Sequence, residues 1–346
     1  MIGALAAVTR VAKASGADML TAIAIAYEVL ARLHKLFVRQ PFTIDQGFAV
    51  AVGATAGICY LLRLPREQTM HAISFAATNG VPLRANRSGQ LSHYKNMATA
   101  ISCRHAVFCV HMARCGMTAP DAPFEGRHGL VELLYGKQGP LNLPAFDKWQ
   151  MLSTRLKVFP VANNTQIGIW AALELRKQVD YTQIEKATLY TNWFLKHESG
   201  SEREKWEPQT KETADHSLPY VFACGLRYGE VTLKSFEPEM IKDPETRALM
   251  NKVSVEADEK ISAEWPETIQ TRLEATDKSG RKYSIHVRNA LGHNTNPLKR
   301  EDLRAKFKGL AEPMLGRERT EAAFEAAWDT RKAASFASVL DAFTMG

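Results

Sequence analysis

Apolar residues recur at helical spacing through the first third of the chain. Leu20, Ile23, Tyr27, Leu30 and Phe37 return to one face of a 3.6-residue helix, and Asp18, just after the Ser15-Gly16 break, marks its expected start. The next run, FAVAVGATAGICYLL, is apolar almost all round. That pattern predicts a helix covered on every side, with its glycines and alanines allowing close approach. Pro65 fits the first turn of the following helix, PREQTMHAISFAAT. A basic loop, VPLRANRSGQ, then leads into an amphipathic helix expected over residues 92–113.

The period changes after the Pro/Gly-rich stretch KQGPLNLPAF. KATLYTNWF alternates, and TIQTRLEAT and KYSIHVRNA flank a Lys278-Ser279-Gly280 turn, which predicts a β-hairpin. Helices are expected over residues 164–177 and 217–228, and the helical pattern returns after LGHNTNP. The expected fold is therefore mostly α with an inserted α+β domain. Residues 1–152 and 298–346 would form the helical domain and residues 153–297 the insert. No internal repeat stands out.

Composition narrows the function classes. Hydrophobic residues are 45% and charged residues 23% of the 346, an ordinary globular balance. Lys plus Arg is 44 against 37 for Asp plus Glu, a formal charge of +7, but the two signs are interspersed, as in ERTEAAFEAAWDTRK. That reads as a solvated helix face and not as a nucleic-acid surface. The longest uncharged stretch, residues 47–62, is broken by Gly53, Thr55 and Gly57 and is shorter than the ~20 apolar residues a bilayer requires. With no basic n-region before Arg10, a cytoplasmic protein without membrane contact is expected. Cys59, Cys103, Cys109, Cys115 and Cys224 contain no Cys-x-x-Cys pair, so neither a zinc site nor a disulfide framework follows. There is no phosphate loop, zinc-protease motif or nucleophile elbow. What remains is Arg84, Arg87, Lys95 and Lys157, none with an acidic neighbour close in sequence; such cations gathered in a cleft could hold a polycarboxylate. Taken alone, a lysine such as Lys95 on a helix is usually solvated, and His216 beside Asp215 is more often a capping or surface pair.

Whole segments nevertheless resemble the MmgE/PrpD family, which includes 2-methylcitrate dehydratase and cis-aconitate decarboxylase. The resemblance rests on DMLTAIAIAYEVLARL, PLRANRSGQLSHYKNMA with GMTAPDAPFEGRHGL, LKVFPVANNTQIGIWAALELR, ETADHSLPYVFACGL and LGHNTNPLKREDLRAKF, in the family's own order. It implies a helical domain plus an α+β lid, a homodimer, catalysis at the domain junction, and no metal or organic cofactor. Carried over by position, Lys95 matches the lysine of S-x-W-K, with Tyr94 replacing Trp. Lys157 precedes Phe159-Pro160, and Tyr220 closes the ADHSLPY segment that also holds His216. These four are the implied catalytic groups, with Arg84 and Arg87 as implied substrate anchors.

Two segments depart from the pattern. Ile44-Asp45-Gln46 stands where the family has Leu-Asp-His, and FPVANNTQ puts Asn164 at a histidine position and Ala162 at a glutamate position. Amides hydrogen-bond but do not exchange protons near neutrality, so Gln46 and Asn164 are expected to bind substrate only, with Asp45 beside them as a further substrate-binding residue. The pattern also places helices carrying Asp, Thr and His-Pro-Ser ahead of the position of Met1. Their absence would expose apolar surface and make the chain a poor dehydratase that dimerises strongly or is marginally soluble. The implied function is a hydro-lyase acting on a hydroxy-polycarboxylate by acid/base elimination. The alternatives are an impaired homologue that binds polycarboxylates or serves as a partner subunit, and an epimerase or decarboxylase of a related acid.

Overall fold

The computed structural model describes residues 1–37 and 43–344. The chain divides into two compact units. One comprises Met1–Asn86, Asn96–Thr154 and Lys299–Gly346; the other comprises Arg87–Lys95 and Arg155–Leu298.

The first unit is helical. Its helices include α1 (Ile2–Ala12), α2 (Gly16–Phe37), α3 (Gly47–Leu61) and α4 (Arg66–Asn79), followed by α5 (Tyr94–Arg114), whose first two residues belong to the other unit. A reciprocal cap starts α2 earlier than expected. The Asp18 carboxylate accepts from the Ser15 N–H (3.1 Å) and hydroxyl (2.7 Å), while the Asp18 N–H donates back to the Ser15 hydroxyl (3.1 Å). The buried face of α2 also differs from the expected stripe: Met19, Ala22, Ala26, Leu33 and Leu36 are buried, whereas Leu20 is 40% exposed. The Phe37 side chain lies outside the described residues. The offset follows from α3, which buries every residue except Tyr60. A Cβ on Gly53 would stand 2.5 Å from the Ala26 carbonyl oxygen, and one on Gly57 would stand 2.8 Å from that of Ala22. The small residues of α2 therefore face the small residues of α3. Gly57→Leu is expected to lower stability by ~1–3 kcal/mol through overpacking, read as a drop in Tm; an unchanged Tm would rule out this contact.

The stretch after α5 is pinned to α2. Arg32, 4% exposed, donates to the carbonyls of Pro144 (2.5 Å), Ala145 (2.9 Å) and Lys148 (3.1 Å). Glu28, one turn earlier, accepts from the N–H groups of Gln150 (3.1 Å) and Met151 (2.9 Å) and pairs with Arg32 at 2.6 Å. The helical pattern returns in α8 (Arg300–Leu315) and α9 (Arg317–Trp328). Backbone bonds between Gly16 and Ala333 and between Phe336 and Ala14, both 2.9 Å, then tie this end to the start of the chain.

The second unit holds a four-stranded sheet, β1 (Ile184–Thr191), β2 (Val253–Ala257), β3 (Gln270–Asp277) and β4 (Lys282–Arg288), in the order β2-β1-β3-β4. β1 is parallel to β2 and antiparallel to β3. The β3–β4 hairpin forms where the alternation placed it: Gly280 takes φ +86°, and the Asp277 carboxylate accepts from the N–H groups of Ser279 and Arg281. α6 (Gln166–Arg176) packs on β3 and β4 and against α7 (Leu218–Tyr228). Every residue of α7 from Leu218 to Leu226 is buried. The segment KATLYTNWF is not one strand. Asn192 caps a short helix, Trp193–Lys196, its side-chain oxygen accepting from the Leu195 N–H at 2.9 Å, so the strand stops at Thr191.

Candidate functional site

The site is built from two stretches far apart in sequence. Arg87–Lys95 lies along residues 207–213 within the second unit. The Leu91 N–H donates to the Thr213 hydroxyl and the Leu91 carbonyl accepts from the Thr210 hydroxyl, each at 2.8 Å. The Gln90 amide adds bonds to the Glu207 carbonyl (3.0 Å) and the Gln209 N–H (3.3 Å). Four hydrogen bonds thus fix the approach to Lys95.

Lys95, in the first turn of α5, brings Nζ to 3.8 Å from Oδ1 of Asp215. The same oxygen makes a short hydrogen bond to His216 Nδ1. All three side chains are largely withdrawn from water, at 14%, 11% and 18% exposure for Lys95, Asp215 and His216. The Asp215 carbonyl accepts from the Ala162 N–H at 2.8 Å, which joins the FPVANNTQ loop to the cluster. At the other end of that loop, the Gln166 side-chain oxygen accepts from the N–H groups of Val158 (2.8 Å) and Phe159 (3.2 Å), directly after Lys157.

Burial and charge act together on the two bases. Burial lowers the Lys95 pKa, with Asp215 and Glu212 opposing and Lys157 and Arg87 adding to the fall. Burial also lowers that of His216, against the hydrogen bond and charge of Asp215 and with the help of Lys95 and Arg87. His216 is therefore neutral near pH 7. With Nδ1–H given to Asp215, its lone pair sits on Nε2. The result is a neutral imidazole and an acidified ammonium that share one carboxylate.

Of the residues expected to matter, Arg87, Lys95, Lys157 and His216 form one electrostatic cluster. Asn164 is half-buried on the loop joined to it. Tyr220 sits elsewhere. It is fully buried, its hydroxyl donates to the Ser235 carbonyl at 2.5 Å, and burial pushes its pKa well above the ordinary phenol range. The helix that holds Tyr220 turns it into the core. Arg84, Asp45 and Gln46 belong to the helical unit. There Asp45 is fully buried and its carboxylate accepts from the Gly47 N–H at the start of α3 (2.8 Å), Gln46 is exposed, and Arg84 is half-buried in a 3₁₀ turn.

Sequence reasoning missed Thr210, Thr213, Glu212 and Gln166. A signal existed for the threonines: the Thr213 N–H donates to the Thr210 hydroxyl at 3.1 Å, the one-turn cap that T-x-x-T spacing announces. Among the described residues, no group of three or more His, Cys, Asp or Glu is arranged to hold a metal ion, and no helix is long and apolar enough to cross a membrane. A cavity of about 500 Å³ in the helical unit, between Lys35 and Lys137, is lined by none of these site residues.

The N-terminal domain of MmgE/PrpD matches residues 1–141, and the C-terminal domain matches residues 159–330. The chain belongs to the MmgE/PrpD family. Its mostly helical build with a smaller α+β portion fits that family. Cis-aconitate decarboxylase of Mus musculus is 25% identical over 335 residues, covering 91% of this chain and 66% of the relative. Alkylcitrate dehydratase phiI of a fungal species is 25% identical over 319 residues, 84% of this chain and 60% of the relative. The 2-methylcitrate dehydratase of Salmonella typhimurium is 26% identical over 233 residues, 64% and 47% of the two chains. The chain thus spans between about half and two thirds of the length of these relatives. Within the MmgE/PrpD match, Lys95 falls in the N-terminal domain and His216 in the C-terminal one.

Proposed function

We propose that this chain is an acid–base lyase that takes water from a hydroxy-polycarboxylate of the 2-methylcitrate kind, working as a homodimer with side chains alone. The observation that carries this reading is the shared carboxylate: the Lys95 ammonium and the His216 imidazole both meet Asp215, with Arg87 close enough to influence both and Lys157 close enough to influence Lys95. Removing a proton alpha to a carboxylate builds a second negative charge, and fixed cations in a site poor in water stabilise it. In this mechanism His216 Nε2 takes the alpha proton while the C–O bond breaks, and the Lys95 ammonium gives its proton to the departing hydroxyl, which leaves as water. Arg87 and Lys157 hold the carboxylates. The names of the relatives support this substrate class.

The test follows conjugated-alkene absorbance when the protein meets 2-methylcitrate, citrate and related hydroxy acids. Turnover is expected, and His216→Ala should reduce it by ~10²–10⁴-fold. No turnover of any of these acids, together with no calorimetric heat from tricarboxylates, would refute the reading. A second reading, a polycarboxylate binder without turnover, is favoured by Gln46 and Asn164, amides at positions where the family pattern has histidines. Heat on binding without any alkene signal would select it.

A further inference from the structure

We propose that Gln166 is the positioning residue of this site, its carboxamide holding the backbone that presents Lys157 to Lys95 and leads on to Asp215. The proposal rests on the reading of Lys95 and His216 as the reacting pair. Lys157 lies in an irregular stretch whose N–H groups have no helix or strand to satisfy them. Leu156 is tied by its N–H to the Gly292 carbonyl at 2.9 Å. The next two peptide groups after Lys157 both end on one oxygen of Gln166. The Thr165 hydroxyl then donates to the Ala162 carbonyl at 3.0 Å, and the Ala162 N–H reaches Asp215. Lys157 and Asp215, which act on Lys95 with opposite sign, are therefore joined by one short stretch whose shape Gln166 sets.

The identity of this side chain carries the argument further. Gln166 is 8% exposed, and its Nε2 is buried with no hydrogen-bond partner among the described residues. Burying an amide nitrogen unpaired is unfavourable. A glutamate of the same shape would accept the two N–H groups more strongly and bury no unpaired donor. It would also put a negative charge beside Lys157 and cancel the cation that acts on Lys95. The neutral carboxamide keeps the clamp and leaves the field of Lys157 and Arg87 intact, which Asp215 and Glu212 oppose.

The experiment reads the titration of Lys95 itself, from the pH dependence of its labelling by an amine-reactive reagent in the intact protein, followed by mass spectrometry. No substrate is needed, so this test gives its answer even if every acid tried fails to turn over. Lys157→Ala, Gln166→Leu and Gln166→Glu should each raise the labelling midpoint of Lys95 towards the ordinary lysine value, by about one pH unit. Lys157→Ala combined with Gln166→Leu should move it no further than Lys157→Ala alone. If Gln166→Leu fails to fold, Gln166→Met, which also removes the acceptor oxygen and adds no charge, decides. A lowered Tm with an unmoved Lys95 midpoint in the folded variants would make Gln166 a structural staple and overturn the proposal.

Discussion

Lys95→Ala is expected to lower turnover by ~10²–10⁴-fold and to remove most salt-sensitive binding of citrate-like acids. It deletes the proposed proton donor, a cation 3.8 Å from the Asp215 carboxylate. The pH profile is the sharper readout. The proposed mechanism needs His216 neutral and Lys95 protonated, so the wild-type rate should rise through a histidine pKa set below the ordinary range. It should fall through a lysine pKa that is also set below its ordinary range. Lys95→Ala should erase the alkaline limb. Because the Lys95 charge helps lower the His216 pKa, the acid limb of any residual rate should move upward. Lys95→Arg should keep binding but not turnover, since a guanidinium does not release its proton in this range. Initial rates across pH and calorimetry at two ionic strengths check these outcomes. A Lys95→Ala enzyme with the wild-type profile would remove Lys95 from the chemistry.

The second large effect is on stability. Glu28→Ala should destabilise the helical unit by ~3–5 kcal/mol, because it leaves Arg32 charged and buried without its carboxylate. The Gln150 and Met151 N–H groups lose their acceptor at the same time. Burial alone would raise the Glu28 pKa, but the two backbone N–H groups and Arg32 outweigh it and hold the carboxyl below its ordinary value. A group lowered on folding contributes its stability above the unfolded-state pKa and loses it as pH falls through the folded-state one. The gap in urea midpoint between wild type and Glu28→Ala should therefore be widest near neutrality and narrow in strong acid. A gap independent of pH would assign the effect to lost packing.

How far the sequence reveals these features depends on how local their causes are. The all-apolar run that became α3 and the hairpin around Gly280 were legible because one segment's own pattern fixes them. The strand β2 was not: VSVEA is short, and its partner across the parallel ladder places Ala187 opposite Val253. In α2 the apolar stripe pointed to Leu20, yet the buried face belongs to Ala22 and Ala26, because the glycines of α3 demand small neighbours. The site divides the same way. Its cations and His216 could be picked out by residue type. The carboxylate they share and the threonines that seat Leu91 depend on contacts over more than a hundred positions, which leave no local trace. Tyr220 shows the converse, since membership of a motif does not say which way a helix turns a side chain.

The joining of Arg87–Lys95 to residues 207–213 bears on how such a protein can be recombined. Exchanging residues 155–298 between two members of the family would transplant Lys157, Asp215 and His216 but leave behind Lys95 and the edge at Leu91 that Thr210 and Thr213 grip. A chimera made at that seam pairs a lysine from one parent with a histidine from another. If the proposed site sets substrate preference, that preference is inherited as two linked stretches of gene that must travel together, and not as a single exchangeable cassette.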